Sequence, residues 1–271
     1  MTLSEAVRRL TAAGDTDAAV DARLFFARYG GFSPADLYGA DPSSDSDVLA
    51  DAVERRAGGE PTAYILGDAD FYGETYFVTP DVLIPRAETE LVADYAVHRL
   101  PRGGTFLDLC TGSGCIALSV LRHTESTRAA AADISDAALA VARKNAEKYA
   151  LTDRISFVRS DVLRDVLPGT YDMIVSNPPY VEDAVYPTLE REIFHEPRAA
   201  FVGGAEGMDF YRAIISNYRT RLTADGFFLF EIGFDQGERM TALAEKNNMA
   251  CDILPDFSGL DRIAVLKRKN I

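Results

Sequence analysis

The chain of 271 residues predicts an α/β fold: a doubly wound, mostly parallel sheet preceded by a small helical domain. The first observation is an alternation that begins near residue 103. Seven short apolar runs (TFLDLC, RAAAADI, RISFVRSD, YDMIVSNPP, GFFLFEIG, CDILPD and RIAVLKR) are mostly separated by helical stretches. Strand alternating with helix is the pattern of parallel βαβ units. The second observation is that the first 67 or so residues lack such runs and read as amphipathic helices closed by glycines. The third is a change of composition between them, where FYGETYFVTPDVLIP is rich in aromatic and β-branched residues.

Taken in order, SEAVRRLTAAG places Val7 and Leu10 three apart, with Ser4 as N-cap and Gly14 as stop. TDAAVDARLFFARYGG puts Val20, Leu24 and Phe25 on one face and ends in Gly30-Gly31. Ser33-Pro34 reads as an N-cap followed by proline at the first helical position. DVLADAVERRAGG is a further amphipathic helix. FYGETYFVTPDVLIP reads as a β-hairpin, with Gly73 and Pro80-Asp81 as turn signals. AETELVADYAVHRL is helical, acidic at its start, with Leu91, Tyr95, Val97 and Leu100 as apolar positions. The expected domains are therefore a helical one over 1–67, a hairpin connector over 68–86 and the sheet domain over 87–271. Within the last, IALSVLRHT and SDAALAVARKNAEKY are helices. RAAAADI is poor in strand formers, and only its place in the alternation makes it a strand. CDILPD and RIAVLKR are separated by DFSGLD, too short for a helical crossover, so these two pair antiparallel.

Composition narrows the function. A hydrophobic share of 47% with 26% charged residues is that of a soluble globular protein. No apolar run reaches membrane-spanning length, and MTLSEAVRRL lacks the apolar core of a signal peptide, so cytoplasm is the expected compartment. Three cysteines, Cys110, Cys115 and Cys251, suit free thiols in a reducing compartment rather than a disulfide framework or a metal site. Net charge is −14, and lysine occurs only at 144, 148, 246, 267 and 269, which counts against duplex DNA as substrate. Solubility or a salt-adapted proteome accounts for the acidity equally well. His98, His123 and His195 show no catalytic spacing.

Chemistry concentrates in three places. Asp108-Leu109-Cys110-Thr111-Gly112-Ser113-Gly114 stands where a strand ends and a helix begins, the ligand-binding end of open α/β sheets. Gly112 and Gly114 admit close backbone approach, yet the loop has neither dinucleotide glycine spacing nor a Walker lysine. Asp133 and Asp161 end the next two strands and make an acidic rim, suited to ribose hydroxyls, an adenine amino group and a sulfonium cation; helix caps or plain surface carboxylates are the alternative. Asn177-Pro178-Pro179-Tyr180 follows the strand YDMIVS. Two prolines stiffen this tetrad and leave carbonyls free to accept. Asn177 Oδ1 and the Pro178 carbonyl suit the two hydrogens of a planar NH₂ group, and Tyr180 suits its flat face.

DLCTGSGCIAL, Asp133, NPPY, EPRAAFVGGAEGMDFYRAII and LIPRAETELV together resemble the protein-(glutamine-N5) methyltransferases that act on peptide-chain release factors, the HemK/PrmC family. The resemblance runs over nearly all of residues 60–268. It implies a Rossmann-like methyltransferase domain with a seven-stranded sheet, an N-terminal helical domain joined by a hairpin, and S-adenosylmethionine as methyl donor. It further implies a target glutamine in the release factor's Gly-Gly-Gln loop. Carried over by position, Asp108 and Cys110 to Gly114 line the cofactor's methionine part, Asp133 holds its ribose, and Asp161 with Val162 flanks its adenine. Asn177, Pro178, Pro179 and Tyr180 bind the glutamine amide, with Asn177, Pro178 and Tyr180 as catalytic residues and Asn177 also beside the cofactor. The chain departs from the family at Cys110, where many members have glycine, at Val162, where an aromatic residue would contact adenine more firmly, and at Ala87, a common proline.

The tetrad does not select glutamine by itself, because enzymes that methylate amino groups of adenine or guanine in nucleic acid carry similar ones. Against them stand the acidity and the LIPRAETE and EPR segments. A sister enzyme methylating a glutamine of a large-subunit ribosomal protein is a closer alternative, and ETELV favours the release-factor branch. A non-catalytic module that binds S-adenosylmethionine or a translation factor is disfavoured by the intact tetrad. The helical domain is expected either to dock the protein substrate or only to stabilise the main domain. Release factors are the expected partners, and neither direct DNA binding nor a membrane is expected.

Overall fold

The computed structural model describes residues 1–269. They form two compact units, Met1–Asp68 together with Glu190–His195, and Ala69–Leu189 together with the chain from Glu196 onward.

The smaller unit holds α1 (Leu3–Ala12), α2 (Ala18–Tyr29), α3 (Asp47–Ala57) and the short α4 (Thr62–Leu66). Its core is Leu3, Leu10, Phe25, Phe26, Leu37, Leu49 and Val53. The cap of helix α1 is Thr2, two residues before the expected one. Thr2 Oγ1 accepts from the Glu5 N–H at 3.2 Å while Glu5 Oε2 accepts from the Thr2 N–H at 2.7 Å. This reciprocal box satisfies two end donors, which Ser4 cannot do from inside the first turn. The buried face of α2 also differs from the expected one. Val20 and Leu24 are 54% and 43% exposed, whereas Ala18, Ala22, Phe25 and Phe26 point inward. Alanines close to a partner helix let the two phenylalanines fill the core, and size alone could not reveal that stripe. Ser33-Pro34 opens only a 3₁₀ turn, Pro34–Leu37. The buried Arg56 guanidinium pairs with Asp15 at 2.9 Å, Asp21 at 2.6 Å and Glu192 at 2.5 Å, the last from the 190–195 segment.

The larger unit opens with the hairpin β1 (Asp68–Phe71) and β2 (Glu74–Phe77), the first strand starting one residue earlier. Both turn residues have positive φ, Tyr72 at 51° and Gly73 at 80°, the twist that two-residue hairpins favour. Phe71 and Tyr76 are buried in the core of this unit. The main sheet comprises β3 (Thr105–Leu109), β4 (Arg128–Asp133), β5 (Ile155–Arg159), β6 (Tyr171–Ser176), β7 (Leu222–Glu231), β8 (Met249–Pro255) and β9 (Asp261–Arg268). Their order is β5-β4-β3-β6-β7-β9-β8. The first five are parallel, while β9 pairs antiparallel with both β7 and β8.

Side chains alternate strictly between two cores. Phe106, Met173, Val175, Phe227, Leu229, Ile263 and Val265 face α5 (Glu90–Arg99), α6 (Cys115–His123) and α7 (Asp136–Lys148). Leu107, Leu109, Ile174, Phe228, Phe230, Ala264 and Leu266 face α8 (Asp209–Tyr218) and α9 (Gly237–Lys246). A period of two with both faces covered is what a doubly wound sheet requires. In α5 the residues fully buried are Val92, Ala93 and Ala96, with Leu91, Tyr95 and Val97 only partly so. The alanine-rich β4 is held between two parallel neighbours, which outweighs its weak intrinsic preference. Among the described residues no helix is long and apolar enough to cross a membrane.

Candidate active site

The strand order reverses at β3, with β4 and β5 to one side and β6 to the other. Ligands of open α/β sheets bind at such a switch point, beyond the carboxyl ends of the strands. Leu109 and Ser176, the last residues of β3 and β6, are register partners, and Ser176 Oγ donates to the Leu109 carbonyl at 2.6 Å. The segments that follow, Cys110–Gly114 and Asn177–Tyr180, are therefore neighbours. The end of β4 is tied in as well. Thr111 N–H donates to the Ala132 carbonyl at 3.0 Å, and Gly112 N–H to Asp133 Oδ2 at 2.9 Å.

A cavity of about 240 Å³ opens at this point, with Cys110, Gly112, Asp133, Asp161, Val162, Asn177 and Pro179 in its wall. Asp133 Oδ1 accepts from Ser135 N–H at 3.0 Å, and Asp161 Oδ1 from Leu163 N–H at 3.1 Å, so backbone donors fix both carboxylates. Burial raises the Asp133 carboxyl above its ordinary value. Asp108 lies behind the loop, fully buried. Its Oδ2 accepts from Thr111 Oγ1 at 2.6 Å. Its Oδ1 has no hydrogen bond of normal geometry, the Ala117 N–H giving only weak support, and burial pushes the carboxyl up to about 7. Thr111, Ser113 and Gly114 are buried behind the cavity wall. The Ser113 carbonyl accepts from Asn145 Nδ2 at 2.9 Å, and the same amide group donates to Phe77 in the hairpin at 3.0 Å. Cys110 has φ of +60°, a left-handed conformation that costs a residue with a Cβ roughly 1 kcal/mol. That is the physical reason glycine suits this position, and burial raises the thiol far above its ordinary range.

The tetrad is clamped from behind. Pro178 and Pro179 are buried. Val181 N–H donates to the Phe201 carbonyl at 2.7 Å, Gly203 N–H to the Val181 carbonyl at 2.9 Å, and Gln236 Nε2 to the Tyr180 carbonyl at 3.1 Å. The glycines of FVGGAEG press directly on it. A Cβ at Gly203 would stand 2.5 Å from the Pro179 oxygen, and one at Gly207 would stand 2.1 Å from the Tyr180 oxygen. The LIPR and EPR segments also meet, since Glu196 accepts from Ile84 N–H at 2.9 Å and pairs with Arg86. Two buried residues also contact the tetrad: Asn177 Nδ2 donates to Thr89 Oγ1 at 3.2 Å, and the Tyr180 hydroxyl to Glu231 Oε1 at 3.3 Å. Thr89 Oγ1 donates to Glu231 Oε2 at 2.6 Å. Burial pushes Glu231 up to about 7, and burial beside that carboxylate lifts the Tyr180 hydroxyl well above 10.

Sequence reasoning missed several participants. Val82 and Leu83 after the hairpin, Ser160, Pro197 and Phe210 also line the cavity, and Thr89 and Glu231 contact the tetrad. Leu83, Thr89, Pro197 and Phe210 fell inside the segments that carry the family resemblance without a role of their own, and Glu231 closes the apolar run GFFLF.

Comparison with known proteins fits this architecture. The family described as "Methyltransferase small domain" matches residues 88–206, and "PrmC N-terminal domain" matches residues 2–67. Solved structures with a similar fold include a ribosomal protein L11 methylase from Lactobacillus delbrueckii subsp. bulgaricus (TM-score 0.53, 20% identity, 71% of this chain and 84% of that one). A methyltransferase from Pyrococcus furiosus is another (TM-score 0.54, 20% identity, 72% and 89%). At that identity they establish the fold alone. A release factor glutamine methyltransferase from Neisseria gonorrhoeae is 40% identical over 79% of this chain and 79% of its own length. One from Moorella thermoacetica is 35% identical over 98% of this chain and 97% of its own. The chain belongs to the release factor glutamine methyltransferase family.

Proposed function

We propose that this protein transfers a methyl group from S-adenosylmethionine to the side-chain amide nitrogen of the glutamine in the Gly-Gly-Gln loop of peptide-chain release factors. The observation that carries this reading is the adjacency of a glycine-containing loop and a rigid Asn-Pro-Pro-Tyr turn at the ends of neighbouring parallel strands. Two relatives that match 98% of the chain are release factor glutamine methyltransferases, which supports it over a nucleic-acid or ribosomal-protein substrate.

The cavity residues suit S-adenosylmethionine. A loop with positive φ at Cys110, Gly112 and Gly114 leaves backbone accessible, and Asp133 and Asp161 supply acidic acceptors for hydroxyl and amino groups and offset a cationic ligand. When bound, this cofactor supplies an electrophilic methyl group on sulfur. Cys110 and Gly112 would hold its methionine part, with Asp108, Thr111, Ser113 and Gly114 bracing the loop from behind. Asp133 would hold its ribose, and Asp161 and Val162 its adenine. Asn177 Oδ1 and the Pro178 carbonyl would each accept one hydrogen of the glutamine NH₂, turning the nitrogen toward the cavity and offsetting the positive charge it gains during transfer. Tyr180 would pack on the amide plane. No base is needed before attack, and the surplus proton leaves to water afterwards. The helical unit, with the PrmC N-terminal pattern over residues 2–67, is assigned to docking the protein substrate, and the cytoplasm, where translation terminates, is the compartment this activity requires.

Purified protein incubated with labelled S-adenosylmethionine and a bacterial release factor is expected to label the protein substrate. Asn177→Ala should lower that rate by about 10²–10³-fold while the fold persists, as removal of one positioned polar group does elsewhere. Label entering nucleic acid instead of protein, or a loss of only a few-fold in the variant, would overturn the reading.

A further inference from the structure

Thr89 lies in helical conformation (φ −67°, ψ −21°) where the 3₁₀ turn Ala87–Thr89 runs into α5, so its hydroxyl is not engaged in capping the helix. It is also buried, at 3% exposure. Its hydroxyl is committed elsewhere, donating to Glu231 Oε2 at 2.6 Å and accepting from Asn177 Nδ2 at 3.2 Å. Glu231 is the residue out of place. It is a carboxylate at the end of a central strand, 2% exposed, and among the described residues no cation lies within ion-pair distance of it. Arg262 attracts it only from afar and forms its ion pair with Asp256, at 3.1 Å. Burying such a group is costly unless its oxygens are satisfied, and here Thr89 and Tyr180 satisfy one each. Departures from local preference at a folded site are expected where function maintains them.

The hydrogen count gives these two residues a task. A hydroxyl has one proton, and above about pH 7, where Glu231 is ionised, its carboxylate can only accept. Thr89 therefore gives its proton to Glu231 and has only lone pairs to offer Asn177. The Asn177 amide must then turn its NH₂ toward Thr89, which leaves Oδ1 as the atom available to the cavity. The reverse orientation would set the Asn177 carbonyl against the Thr89 lone pairs and turn a donor toward the substrate NH₂, donor facing donor.

We propose that Thr89 and Glu231 are positioning residues that hold Asn177 in the single amide orientation able to accept from the substrate carboxamide. This rests on the reading of Asn177 as the acceptor for the glutamine NH₂. The role belongs to ligand orientation and not to cofactor binding, since neither residue lines the cavity wall that holds Asp133 and Asp161.

The test is a double-mutant cycle on the full chain, with methyl transfer to a release factor and S-adenosylmethionine affinity measured for each variant. Thr89→Val is expected to lower kcat about 10- to 100-fold with cofactor affinity changed less than about three-fold, and Thr89→Ser to recover the rate to within about three-fold of the parent. Because Thr89 acts through Asn177, the Asn177→Ala and Thr89→Val/Asn177→Ala proteins should be equally slow. Losses that multiply in the double variant, or a Thr89→Val protein as fast as its parent, would overturn the proposal while leaving the glutamine reading intact. A parent protein that does not methylate a release factor defeats the glutamine reading itself. If Thr89→Val does not fold, Glu231→Gln takes its place in the same cycle. Its amide can donate to Thr89 and so release the constraint, and the same non-additivity with Asn177→Ala is required.

Discussion

Asp108 shows what a single buried carboxyl does to this fold. Its proton is held up to about 7, against 3.8 for an exposed aspartate, and burial is the main cause. The folded state therefore binds this proton more tightly than the unfolded chain. The associated stability is full below about pH 4 and is lost as pH rises through 7, the point at which a buried anion with one weakly satisfied oxygen must be carried. Asp108→Asn, neutral at every pH, is expected to gain on its parent by on the order of a few kcal/mol between pH 4 and pH 8, the cost of its new buried NH₂ being the same at both. Denaturant unfolding at the two pH values measures the difference, and a gap that does not change with pH would refute this account of Asp108. At this scale the sequence was legible where the chemistry is local. That Asp133, Asn177 and Pro179 would come to one cavity could be read because a strand end and a rigid tetrad are contiguous in the chain. Thr89 and Glu231 could not, because they lie 142 residues apart and meet only once α5 and β7 have been folded beside β6.

Among the elements, the segment between the tetrad and α8 is the one that sequence patterns describe least. It has no apolar period and consists of 3₁₀ turns and glycines. Its function is steric. Gly203 lies against the backbone of Pro179 and Tyr180, with 2.5 Å and 2.8 Å left for a Cβ, and neither neighbour is a flexible side chain that could move aside. Gly203→Ala must displace the tetrad. The expected result is a loss of about 1–3 kcal/mol in stability from overpacking, with methyl transfer reduced at least about ten-fold. Thermal unfolding and a transfer assay check both, and an unchanged variant would show that the tetrad has room to spare. The strands were legible because their alternation is forced by two covered faces, so that even RAAAAD could be placed by its position in the series. The inward face of α2 was not, since alanine and phenylalanine share it and the larger Val20 and Leu24 are left outside.

Across the whole molecule, the order of the strands brings together segments that the chain keeps far apart. The reversal at β3 places the Cys110–Gly114 loop beside Asn177–Tyr180, and the hairpin is bonded to the same loop through Asn145. The doubly wound class was legible from the alternation and the antiparallel end from the short DFSGLD link. The assignment of residues 190–195 to the helical unit was not, because nothing in that segment marks it as separate from its neighbours. The account's central claim is that a rigid acceptor pair at Asn177 and Pro178 presents a protein carboxamide to a methyl donor bound beside it. Mass spectrometry of a release factor co-expressed with and without this protein, read at the glutamine of the Gly-Gly-Gln loop, tests it most directly. One added methyl group on that glutamine, absent when Asn177→Ala replaces the parent, is the result predicted. An unmodified glutamine, or a methyl group that persists with the variant, would contradict it.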